Sequence, residues 1–436
     1  MSLFQNFRLG LVHLSVTLTF VPVTGVLNRV MIHEFEILAS TVALLTVMPY
    51  LFSPLQVFIG RYADTHPIAG RRRTPYALAG ILLCIGGLQL TPFAAIAIAD
   101  SAPFAPLLAG AGFGLWGIGY NLAVVSYLSL ASELSTPAER PRVVSVMWVM
   151  MVLGSIAAAV LIGRALAPYS NTALIGVFQS VGLVSLGCAA IGLWRLEPKA
   201  KTAQTRTEVR WSPSEVLATL AKKPEVRIFF IYLVLMLASI LGQDVLLEPF
   251  AARAFAMSVK DTTHLTAIWG VATLAAMLLY GFLLNRFFSR KQGAQIGLAL
   301  AACGLLLIAA SGLLGLKAAF FIGLATLGLG TGIATATNLA LMLGMTPEGQ
   351  TGVYMGAWGI ADALSRALGN FLSGVWRDAM TYLSGNPLVG YVSVFLTQVL
   401  LLGVSLWLLQ KISEETATPK REDLAESIAI VAEGSN

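Results

Sequence analysis

Charge is what this sequence lacks most. Only 11% of its 436 residues are Asp, Glu, Lys or Arg, where a soluble protein carries about 25%. With 57% apolar residues the chain has too little polar surface to cover itself, so its solvent is lipid. Alternating apolar and polar runs with frequent turn residues are missing, which excludes an outer-membrane barrel. Cysteine is scarce. Cys84, Cys188 and Cys303 lie far apart inside apolar runs, so they form no metal pattern and read as inert packing residues. No hydrolase, nucleotide-binding or redox motif occurs, so neither catalysis nor nucleotide use is expected. The formal charge is +6, but the basic residues sit in short connectors, and this removes nucleic acid as a partner.

What is present is a series of apolar runs. Each holds about 20 residues, enough for a helix to cross a hydrocarbon core of about 30 Å. They fall near 9–32, 40–60, 75–98, 104–132, 143–166, 172–195, 228–251, 262–285, 293–315, 318–345, 352–376 and 388–410. The first is long and directly followed by another, so it reads as an uncleaved span. Most of the 28 basic residues lie in alternate connectors. Arg71, Arg72, Arg73, Arg140, Arg142, Arg286, Arg290 and Lys291 are examples, and the asymmetry places both termini in the cytoplasm.

The chain divides into a six-helix half at 1–195, a cytoplasmic linker at 196–227, a second six-helix half at 228–411 and an acidic tail at 412–436, expected to be mobile. Within the linker, Ser212, Pro213 and Glu215 carry a helix-start signature. This predicts a short surface helix over 211–223, with a plain solvated linker as the alternative. The halves repeat one another. Asn121-Leu122-Ala123 and Asn338-Leu339-Ala340 lie 217 residues apart. Thr136-Pro137 answers Thr346-Pro347, Trp148 answers Trp358, and Gly60 answers Gly281. Such duplication is typical of transporter folds.

The loop after the second run carries Gly60, Asp64, Gly70, Arg71, Arg72 and Arg73. It resembles the signature loop of the major facilitator class, with a longer middle from Thr65 to Ala69. The expected fold is therefore an all-α membrane protein, major-facilitator-like, with 12 transmembrane helices in two six-helix halves. A narrower resemblance lies in Asn28-Arg29-Val30-Met31-Ile32, in Gln243-Asp244-Val245-Leu246-Leu247-Glu248-Pro249-Phe250, and in the segment from Arg142 to Met150. Together with Gly70 to Tyr76, these segments resemble the PucC/LhaA family, also called the bacteriochlorophyll-delivery family. The resemblance implies a role in assembling light-harvesting antenna complexes. It makes (bacterio)chlorophyll the bound cargo, antenna polypeptides the partners, with a pigment synthase as a further option, and an inner, photosynthetic membrane the location.

Several polar residues inside the apolar runs are candidates for function. Asn28 and Arg29 end the first span. Arg29 is either a topological anchor, paired with Glu34 or Glu36, or part of a partner-facing ion pair. Asp244 and Glu248, beside Gln243, stand four residues apart and so share a helical face. They could relay a proton, bind a cation, ligate a pigment magnesium or bond backbone freed by Pro249. Asp362, Arg366 and Asn370 form one stripe at four-residue steps, read as either a central-cavity element or a structural salt bridge. For a pigment magnesium the candidate ligands are His13, Asn121 and Asn338, with Gln179 and Gln243 as further options. The rival functions are a proton-coupled secondary transporter of a small solute and a docking accessory of a pigment synthase.

Overall fold

A computed structural model describes residues 2–135, 140–198, 224–345 and 351–412, apart from some side chains within helices. The expected linker helix, the acidic tail and the Thr-Pro pairs lie outside the described residues. So do the side chains of Asp64, Arg142, Trp148 and Trp358.

Twelve spans follow one another, and all described secondary structure is helical apart from one isolated bridge between Ile68 and Arg71. Span 3 is Thr74–Ala99, span 4 Ala105–Leu134, span 5 Arg140–Ala165 and span 6 Asn171–Leu193. In the second half, span 8 is Val259–Phe282, span 9 Arg290–Leu314, span 10 Lys317–Gly344, span 11 Thr351–Ser384 and span 12 Pro387–Gln410.

Three spans expected as single helices are interrupted. Span 1 runs as an α-helix over Leu3–Thr17, then as π-helical pieces Val21–Leu27 and Val30–Glu34. Span 2 is split into Ala39–Thr46, Met48–Leu51 and Leu55–Thr65. Span 7 stops at Leu241 and restarts as Leu247–Phe255. Proline is the common cause, since Pro22, Pro49, Pro54 and Pro249 each remove one helical donor.

The carbonyls freed at the breaks find side-chain donors, as lipid requires. Asn121 Nδ2 donates to Pro49 O at 2.7 Å. Pro249 cannot bond the carbonyl four residues before it, and that carbonyl, Val245 O, accepts from Asn28 Nδ2 at 2.7 Å.

Within each half, the pairs 3–4 and 9–10 pack most extensively. Glycine makes this possible by letting backbones touch. A Cβ on Gly80 or Gly87 would overlap the backbone of Ala123 or Trp116. One on Gly297 or Gly304 would overlap Ala334 or Leu327. Gly297 and Gly304 follow Gly80 and Gly87 at the 217-residue offset of the two Asn-Leu-Ala motifs. In span 4, Gly119 meets the backbone of Cys84 in the same way, and Gly112 and Gly117 lie tightly against Leu90 and Met48. Helix packing accounts for these three glycines.

The halves meet along two seams, span 2 against span 11 and span 5 against span 8. Nine helices among the described residues are long and apolar enough to cross a membrane by length and composition. Spans 2, 5 and 11 are not among them. Span 2 is broken into shorter helices, and span 5 contributes the shorter apolar helix Val149–Ala165.

Candidate functional site at the seam between the halves

On the face opposite the termini the halves are tied together. Asp378 of span 11 accepts from the backbone N–H groups of Ala39 and Ser40, at 3.2 and 2.7 Å, and so caps the start of span 2. Its neighbour Arg377 pairs with it at 2.9 Å and lies over the Tyr391 ring. Close by, Gly374 abuts Ala39. Arg29 is 3% exposed. It pairs with Glu34 at 2.6 Å and donates from Nη2 to Met257 O in the connector between spans 7 and 8. With the Asn28 bond to Val245, the span-1 motif becomes a clamp on span 7.

Above this closed end lies a cavity of about 180 Å³. Span 1 contributes Thr24 and Gly25, span 2 Tyr50, span 7 Glu248, span 8 Trp269 and span 11 Asn370. Arg366 also lines it. Its Nε donates to Asp362 Oδ2 at 3.0 Å, its Nη1 lies 3.6 Å from Asp244 Oδ2, and its guanidinium carbon sits 5.7 Å from the centre of the Tyr50 ring. Gln243 Nε2 donates to the other oxygen of Asp244 at 3.0 Å. Glu248 is deeper, 3% exposed. Thr266 Oγ1 donates to its Oε1 at 3.1 Å, while its Oε2 has no partner. Gly25 leaves the room that this carboxylate occupies, since a Cβ there would fall 3.1 Å from Oε1.

The candidates from spans 7 and 11 therefore meet, but for a different reason than helical spacing. Asp244 lies in the break of span 7 and Glu248 in the helix after it, so no continuous face joins them. The break itself turns both toward the cavity. Nor do the acids bond the carbonyl that Pro249 leaves free, because Asn28 does so.

The magnesium-ligand candidates are placed elsewhere. Asn121 is fully buried. Its Oδ1 accepts from Gln56 Nε2 at 2.6 Å and its Nδ2 serves Pro49 O and Gly117 O. Asn338 is its counterpart, accepting from Tyr232 Oη at 2.7 Å and donating to Ala334 O. Both amides are committed to the scaffold and present no oxygen to a ligand. His13 stacks on Tyr127, 5.4 Å between ring centres, in a packing cluster inside the first half. It does not line the cavity.

The signature loop is a folding element. Gly70 adopts φ 73°, which allows the tight turn at Ile68–Arg71. The Arg72, Arg73 and Thr74 N–H groups at the start of span 3 all donate to the carboxylate of Glu197, at 2.6–3.2 Å. The Arg73 side chain pairs with Glu133 at 2.7 Å. Gly60 is buried.

Sequence reasoning missed Glu197, Asp378, Tyr50, Thr266 and Trp269. Only Arg377-Asp378, a charged pair at the end of an apolar run, carried a signal. The other four look like ordinary connector or helix residues.

Comparison with known proteins agrees with this architecture. The profile of the family described as PUCC protein matches residues 26–417. Protein PucC of Rhodovulum sulfidophilum is 34% identical, over 86% of this chain and 85% of its own length. The bacteriochlorophyll synthase 44.5 kDa chain of Rhodobacter capsulatus is 26% identical over 86% of this chain and 88% of its own. Among solved structures, a bacterial homologue of the human lysosomal transporter Spinster, inward-facing and occupied, superposes with a TM-score of 0.73 at 15% identity. It covers 96% of this chain and all of that one. A span order repeated in two halves, a cavity on their seam and a sequence match over nearly the whole membrane part thus converge, and the chain belongs to the PucC family, on a major-facilitator fold.

Proposed function

We propose that this protein is a light-harvesting antenna assembly factor that serves (bacterio)chlorophyll delivery to antenna polypeptides in an inner photosynthetic membrane, with both termini in the cytoplasm. The observation that carries this reading is the joining of the two family-like segments. Asn28-Arg29 of span 1 and Gln243–Phe250 of span 7 lie far apart in sequence, yet Asn28 grips Val245 beneath the cavity. The relative named as a bacteriochlorophyll synthase chain supports a pigment context and a synthase as a further partner.

The cavity does not fit the pigment itself. Pockets for drug-sized ligands enclose about 300–1,000 Å³, and about 180 Å³ lined by carboxylates and an arginine would hold no tetrapyrrole. Pigment and antenna helix are therefore handled outside it, on the lipid-facing flanks. The test is gentle purification from the native membrane, followed by an absorption spectrum and identification of co-purifying polypeptides. Pigment bands with antenna polypeptides are expected. Colourless protein without antenna polypeptides, together with normal antenna levels in a deletion strain, would refute the proposal.

A second reading is proton-coupled transport of a small solute, favoured by the acids and Arg366 around a small cavity. Solute uptake by proteoliposomes under an imposed proton gradient would support it over the first.

A further inference from the structure

The cavity has more hydrogen-bond acceptors than the protein uses. Glu248 Oε2, Gln243 Oε1 and Asn370 Oδ1 are buried and have no partner. Their residues are 3%, 2% and 6% exposed and all three line the cavity. They come from the break in span 7, from the helix after it and from span 11. Leaving one such oxygen unsatisfied is costly, and three around one space is a pattern, not an accident of packing.

Charge points the same way. Asp244 and Glu248 line the cavity, and Arg366 is the only cationic residue lining it among the described residues. Arg366 is engaged by Asp362 and Asp244. Arg29, the next guanidinium toward Glu248, is held by Glu34 and Met257 O. Glu248 is left with a single hydroxyl donor, Thr266. A carboxylate that stays ionised at membrane depth needs a positive partner.

From these observations we infer that the cavity is a binding site for a small monovalent cation, an alkali metal ion or ammonium, held by Glu248, Gln243 and Asn370. Hard oxygen donors of this kind, two amide carbonyls and a carboxylate, suit such an ion. Trp269 Nε1, an unpartnered donor on the cavity wall, suits the oxygen of a water carried in with it. The three ligands all belong to the second half, so an ion here ties the break in span 7 to span 11, while spans 1 and 2 of the first half supply only wall. The inference stands whether or not the protein assembles antenna.

The test uses the full chain, purified in detergent, with NaCl, KCl, NH₄Cl or choline chloride at constant ionic strength. A saturable rise of the unfolding midpoint is expected with at least one of the first three and not with choline. Glu248→Gln and Asn370→Leu should each weaken that apparent affinity by about tenfold or more. Glu133→Gln, which removes the partner of Arg73 at the signature loop and does not line the cavity, should leave the affinity unchanged. Identical midpoints in all four salts overturn the inference, and that comparison needs only the natural protein. A response to pH with no cation dependence overturns it too, as does a salt effect that survives in both cavity variants.

Discussion

Removing the guanidinium of Arg366 is the sharpest perturbation of the seam. In the natural protein it faces Asp362 at 3.0 Å and Asp244 at 3.6 Å. Arg366→Ala leaves two carboxylates close together with no cation between them. Breaking a wholly buried pair costs about 3–5 kcal/mol, because the abandoned charge stays buried. These side chains are 29%, 35% and 31% exposed, so water screens part of that loss, and a destabilisation of about 1–2 kcal/mol is expected. Asp362→Asn should cost less, since Arg366 keeps Asp244. The double variant Arg366→Ala with Asp244→Asn should recover part of the loss, because it removes one of the stranded charges. The sign with pH follows from the same picture. Lowering the pH neutralises carboxylates, so the deficit of Arg366→Ala should shrink as the medium becomes acid. Thermal unfolding in detergent, across a pH series, measures all three variants. Stability of Arg366→Ala equal to the natural protein, or a double variant no better than the single, would show that the guanidinium does not neutralise these acids.

Other expectations follow from the same geometry. In cells, Asp362→Asn and Arg366→Ala should lower antenna accumulation while the protein still inserts; membrane absorption spectra beside an immunoblot decide this, and normal antenna in both would defeat a functional role for the stripe. Asn28→Ala strands the Val245 carbonyl at the break of span 7 and should cost about 1–2 kcal/mol, above the roughly 0.6 average for bonds between membrane helices. Glu197→Ala removes the acceptor for three N–H groups and should cost about 1 kcal/mol, visible as faster amide exchange at Arg72–Thr74. Gly87→Leu should block accumulation by colliding with Trp116, whereas Gly86→Leu, which meets nothing within 4 Å, should accumulate normally.

Much of the fold was legible because lipid imposes a simple rule. A helix facing hydrocarbon must be apolar for its whole length, so length and composition reveal it. The same rule hides what protein covers. Span 11 tolerates its charged stripe because it faces the seam, and the breaks in spans 1, 2 and 7 persist because partners elsewhere satisfy the freed backbone. The stripe of Asp362, Arg366 and Asn370 was legible from its spacing, since span 11 is an unbroken helix. The joining of Asp244 with Glu248 was anticipated from helical spacing that the chain does not have there.

The sequence by itself determined the lipid environment, the twofold repeat and the family, because each is written in local composition or in residue order. Only the tertiary structure decided which amide serves which carbonyl, that Glu197 and Asp378 cap helices from distant spans, and that three buried oxygens share one small space. Those are contacts between residues tens to hundreds of positions apart, and their geometry is fixed by how the two halves pack, which no single segment encodes.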